Sequence, residues 1–106
     1  MPKFLIEAKF TLDGVKGLMK DGGTARREAV AKTAESVGGK LESFNFAFGD
    51  RDVFVIADLP DNESAAALAL TVNASGAVSV RTTVLLTPEE VDAVTKRSVE
   101  YRPPGG

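Results

Sequence analysis

Four polar residues at strand-like positions are the ones most able to do chemistry in this chain: Glu7, Lys9, Asn45 and Arg81. Glu7, Lys9 and Asn45 are each flanked by apolar residues, and Arg81 follows the alternating Val78 and Val80, so each belongs to the face of a strand opposite its apolar neighbours. A carboxylate, an ammonium, a guanidinium and an amide converging between apolar sheets would suit a small anionic or carbonyl-bearing ligand. Burial of Glu7 or Lys9 would also shift its pKa and fit it for acid or base work. The plainer alternative is a set of cross-strand ion pairs in a wet interface.

Other arrangements are weaker. Asp50 and Asp52 in the turn Gly49-Asp50-Arg51-Asp52 are spaced to offer two oxygens to a hard cation. No third acidic ligand follows at the right spacing, so a hairpin turn is expected, with Asp52 accepting backbone N–H bonds or pairing with Arg51 or Arg26. Arg26-Arg27, near a helix start, suit a phosphate, but the preceding Gly22-Gly23 has no Walker pattern behind it. A solvated face or an ion pair of Arg26 with an acidic loop explains them more simply. The terminal Gly105-Gly106 resembles the activated tail of sulfur-carrier proteins, yet those chains open with a β-hairpin and this one does not.

Composition removes several classes outright. There is no cysteine and no histidine. Disulfides, thiolate metal sites, cysteine nucleophiles, histidine general bases and a Ser-His-Asp triad are therefore impossible within one chain. Lack of cysteine fits a reducing cytoplasm. Residues 1–49 carry 8 Lys/Arg and 6 Asp/Glu, and the rest carry 5 and 9, too even a balance for a nucleic-acid-binding face. One tyrosine and no tryptophan leave no base-stacking platform. No apolar run approaches the ~20 residues of a membrane span. The N-terminus reads directly as a strand with no signal-peptide pattern, so the Asn62-Glu63-Ser64 and Asn73-Ala74-Ser75 glycosylation patterns are chance matches. The reading assigns no catalytic residue, no metal and no cofactor.

The elements that position these residues follow from periodicity. Phe4, Ile6, Ala8 and Phe10 share one face of a first strand, opposite Leu5, Glu7 and Lys9. Asp13 is expected to cap a short helical turn through Val15, Leu18 and Met19, broken at Gly22-Gly23. Thr24 is expected to cap a longer helix over 25–37, with Val30, Ala34 and Val37 as its core stripe and Gly38-Gly39 as its stop. A second strand is predicted over 40–48, with Phe44, Phe46 and Phe48 opposite Ser43, Asn45 and Ala47. A four-residue turn, 49–52, leads to a third strand over 53–59 that is apolar on both faces: Val53, Val55, Ala57 and Leu59 against Phe54 and Ile56. Such a strand is usually covered on both sides. Asp61 caps a helix over 62–74, a fourth strand spans 78–86, and Thr87-Pro88-Glu89-Glu90 is a capping box opening a short helix to about residue 96.

The order strand, helix, strand, strand, helix, strand predicts an α+β, ferredoxin-like antiparallel sheet with helices on one face. A chain of 106 residues is one domain, placed at 1–96 with a tail over 97–106. The second sheet face is left bare, so a homodimer or higher homo-oligomer, joined sheet to sheet, is expected.

The ordered set Thr11, Gly14, Arg26, Gly38-Gly39, Gly49, Asp52, Pro60-Asp61 and Gly76 resembles the GYD-domain family, across about residues 4–94. That resemblance implies a bacterial or archaeal protein with a dimeric α+β-barrel type of fold and no established activity. The chain departs from the family where the motif tyrosine is Arg51 and where an aromatic expected in the second strand is Asn45. Any chemistry done by those aromatics in relatives is not carried over, whereas a binding role with altered ligand preference would survive. Two functions follow: a non-catalytic, oligomeric small-molecule-binding or regulatory module, or a cofactor-independent isomerase- or monooxygenase-like enzyme resting on Glu7, Lys9, Arg81 or Tyr101.

Overall fold

The computed structural model describes residues 1–106. Its elements run β1 (Lys3–Phe10), α1 (Leu12–Asp21), α2 (Gly23–Ser36), β2 (Lys40–Phe46), β3 (Val53–Asp58), α3 (Asn62–Ala74), β4 (Val78–Leu85) and α4 (Pro88–Thr95). The strands form one antiparallel sheet in the order β2-β3-β1-β4. This is the ferredoxin-like arrangement, with β1 and β3 central. The inner face of the sheet carries Phe4, Ile6 and Ala8 from β1 and Val53, Val55 and Ala57 from β3, all buried. Against them α2 places Ala34 and α3 places Ala65 and Leu68. Val30 and Val37, the rest of the stripe expected on α2, pack against the same core. α2 rests on β2 and α3 on β4, and the two helices scarcely touch each other.

Several boundaries differ from expectation, each for a local reason. α1 is a helix of ten residues, and its N-cap is Thr11, not Asp13. The Thr11 hydroxyl accepts from the Gly14 N–H (3.3 Å) and faces the carbonyls of Gly76 (2.9 Å) and Ala77 (3.1 Å). Its backbone N–H also donates to the Ala77 carbonyl (3.0 Å), so the end of β1 is tied to the start of β4. α2 begins at Gly23 and is capped by the backbone of Gly22 at φ +85°, so Thr24 lies inside the helix and does not cap it. The early start lets the Phe46 ring lie directly over Gly23, in the space a side chain would need. β2 ends at Phe46, not Phe48, and β3 and β4 end at Asp58 and Leu85. The β2–β3 connection therefore spans residues 47–52, and Phe48 lies outside the strand, wholly exposed. The caps at Asp61 and Thr87 are as expected. Asp61 accepts from the Ser64 N–H at 2.8 Å, and Thr87 and Glu90 form a reciprocal capping box at 3.1 and 3.0 Å.

The C-terminal segment projects from the sheet and the helices that cover it. Every residue from Pro88 to Gly106 is exposed. The radius of gyration is 16.8 Å and the molecule measures 56 × 32 × 23 Å. A compact chain of this length would have a radius of about 13 Å. No helix is long and apolar enough to cross a membrane.

Candidate functional site: the outer face of the sheet

The outer face is built in cross-strand rows, because residues directly opposite one another in an antiparallel sheet point the same way. One row reads Arg81 on β4, Glu7 on β1, Phe54 on β3 and Asn45 on β2. Toward the chain start the next row is Thr83, Leu5, Ile56 and Ser43. In the other direction Lys9 lies opposite Ser79. Three of the four residues singled out in the sequence (Glu7, Lys9 and Arg81) line one open groove of about 610 Å³, together with Asp50, Arg51 and Phe54. Asn45 occupies the same row but lies outside the groove, toward the β2 edge.

The ion pairing of this face is uneven. At one end Lys3 donates to Glu42 and to Asp58, both at 3.0 Å. Glu42 is available because a register shift between Leu41 and Ser43 leaves it as the extra residue of a β-bulge. Those two bonds, that to Glu42 first, raise the Lys3 pKa above its ordinary value. At the other end Lys9 approaches Asp52 at 3.6 Å. Between these ends Glu7 and Arg81 are direct cross-strand neighbours, yet no ion pair joins them to each other or to any other side chain. Beside them Phe54 remains 38% exposed. The middle of the face thus holds an unpaired carboxylate, an unpaired guanidinium and an uncovered aromatic ring.

Asp52, read in the sequence as a turn residue or a cation ligand, is occupied by the chain itself. Its Oδ2 accepts from the Phe10 N–H at 2.8 Å and its Oδ1 faces Lys9. Its partner is Lys9, not Arg51 or Arg26. The Asp52 N–H donates to the Ala8 carbonyl at 2.8 Å, and the Asp52 carbonyl accepts from Ala47. Asp52 therefore fastens the hairpin to the end of β1.

The family-like positions mostly do scaffold work. A Cβ at Gly14 would collide with the Ala77 carbonyl oxygen, so only glycine allows α1 to cross the β4 entry this closely. Pro60 lies against Gly38, where α2 turns out at φ +82°, and Asp61 opens α3. Gly49 has no positive φ, and nothing lies within 4 Å of where its Cβ would be, so the fold does not require glycine there. Arg26 is the exception. Its guanidinium has no ion-pair partner, and it lines a cleft on the helical side of the sheet that the sequence reading did not foresee. The only sequence signal for that cleft is the run of small residues facing it, Ala8, Ala34 and Ala57.

A ferredoxin-like sheet with one face covered by helices and one polar-apolar face open is a scaffold shared by many small binding proteins and enzymes, and does not itself specify a function. The chain belongs to the GYD-domain family, whose profile matches residues 4–95. Comparison with the curated proteins gives no match.

Proposed function

We propose that this protein is a homo-oligomeric, non-catalytic binding module, most simply a dimer in which two outer sheet faces meet and enclose a small ligand. The observation that carries this reading is the middle of the outer face, where Glu7 and Arg81 are adjacent but unpaired beside the exposed Phe54. Cross-strand opposite charges ordinarily pair or stay solvated. Unpaired beside an exposed aromatic ring, they are free to engage a ligand and a second subunit. With Lys9 paired to Asp52, the cations of the groove without an ion pair are Arg51 and Arg81, whose guanidinium groups suit an anionic or carbonyl-bearing molecule. Absence of cysteine supports residence in the reducing cytoplasm, and the family supports a bacterial or archaeal source.

Native mass spectrometry of protein purified gently from its own host tests the proposal. A dimer or higher assembly carrying extra mass is expected. Glu7→Gln and Lys9→Met should then lose that mass while remaining folded. A bare monomer, or variants that retain the ligand unchanged, would refute the inter-sheet pocket.

A further inference from the structure

On the opposite side of the sheet, α2 and α3 lie apart and leave an apolar cleft of about 80 Å³ floored by β1 and β3. Its walls are Val30 and Ala34 from α2 and Leu68 and Val72 from α3, and its floor includes Ala8 and Ala57. Fourteen of its sixteen lining residues are hydrophobic, and the charged one is Arg26. Arg26 also borders the adjoining groove of about 150 Å³, which holds Asp13 and Asp21. Neither carboxylate comes within ion-pairing distance of it. Arg26 is half-buried, so its charge is partly withdrawn from water without compensation inside the chain.

We infer that this cleft is a binding site for a small monocarboxylic acid with an apolar tail, the tail lying between α2 and α3 and the carboxylate held by Arg26. The assignment follows from complementarity. An apolar slot rejects a wholly polar anion, because its walls offer no hydrogen bonds to replace those lost from water. A lone guanidinium at the edge of that slot selects a carboxylate, to which it can donate two parallel hydrogen bonds. The volume sets the size: with one water-sized sphere per atom, the cleft takes a tail of about six heavy atoms. A long fatty chain exceeds it, and acetate would leave most of it empty. The site is independent of the outer-face pocket and shares no residue with it.

Hexanoate and hexan-1-ol, titrated into the isotopically labelled protein and followed by methyl NMR, provide the test. Hexanoate is expected to shift the methyl signals of Val30, Leu68 and Val72. Arg26→Gln removes a half-buried guanidinium that makes no ion pair, so it should leave the fold intact while weakening hexanoate about tenfold or more, the usual worth of a charge-assisted hydrogen bond. The same substitution should leave the alcohol almost unaffected. Ala34→Leu, which fills the slot, should abolish binding of both. Unmoved methyl signals at saturating hexanoate, or equal hexanoate affinity in wild type and Arg26→Gln, would overturn the inference. Glu7→Gln serves as the control, because loss of outer-face binding leaves hexanoate binding untouched.

Discussion

Two glycines of the same helix show how far residue-level reasoning reaches. Gly14 and Gly17 both lie in α1, where alanine is intrinsically better by about 1 kcal/mol. At Gly17 nothing lies within 4 Å of a new Cβ, so Gly17→Ala should stabilise the fold by about 0.5–1 kcal/mol. At Gly14 the Cβ meets the backbone oxygen of Ala77, which cannot move without loosening the β1–β4 junction. Overpacking of that kind costs about 1–3 kcal/mol and outweighs the helix gain. Urea melts of Gly14→Ala and Gly17→Ala should therefore move in opposite directions, and equal shifts would show that the Thr11–Gly14–Ala77 junction is not tight. The sequence marked Gly14 as a family position without a reason. The reason is a contact 63 positions along the chain, which no local pattern can carry.

At the scale of elements, caps and alternation were the legible part. Asp61 and the Thr87–Glu90 box open α3 and α4 as read, because their chemistry is local. The two faces of β1, β2 and β3 also follow the alternation of Phe4, Ile6 and Ala8, of Phe44 and Phe46, and of Val53, Val55 and Ala57. The starts of α1 and α2 differ from expectation where a neighbouring residue takes the cap, Thr11 in place of Asp13 and Gly22 in place of Thr24. Tertiary bonds decided both, through the carbonyls of Gly76 and Ala77 and through the Phe46 ring. The cap of α3 carries a pH dependence. The Ser64 hydroxyl and then its N–H hold the Asp61 carboxyl below its ordinary pKa of 3.8. A folded-state pKa that is depressed stabilises above the unfolded value and is lost as pH falls through the folded one. The folding midpoint of wild type should therefore drop more steeply below about pH 4 than that of Asp61→Asn, which caps without charge. Parallel acid profiles by circular dichroism would show that the charge at Asp61 adds nothing. The separation of α2 from α3, and hence the cleft beside Arg26, was not legible, since amphipathic spacing tells which way a helix faces and not how far it stands from its neighbour.

For the whole molecule, the two outstanding facts are the open outer sheet face and the projecting segment beyond β4. α4 exposes Val91 and Val94 and packs closely against no other element of the chain. Removing residues 88–106 should thus leave the unfolding midpoint of the remaining chain within about 0.5 kcal/mol of the full-length value, as for changes away from packed structure. A concentration-dependent loss of stability on truncation would instead show that this segment packs against another copy. The outer face makes the stronger claim, because Leu5, Ile56 and Phe54 form an apolar band there beside the unpaired Glu7 and Arg81. The proposed burial of that band against a second copy would explain why a strand apolar on both faces sits at the centre of a sheet with helices on only one side. The most direct test is sedimentation velocity of wild type and Phe54→Glu, with circular dichroism as a check on folding. Wild type should sediment as a dimer or larger assembly and Phe54→Glu as a folded monomer. A monomeric wild type, or a folded Phe54→Glu that assembles as before, would contradict the account.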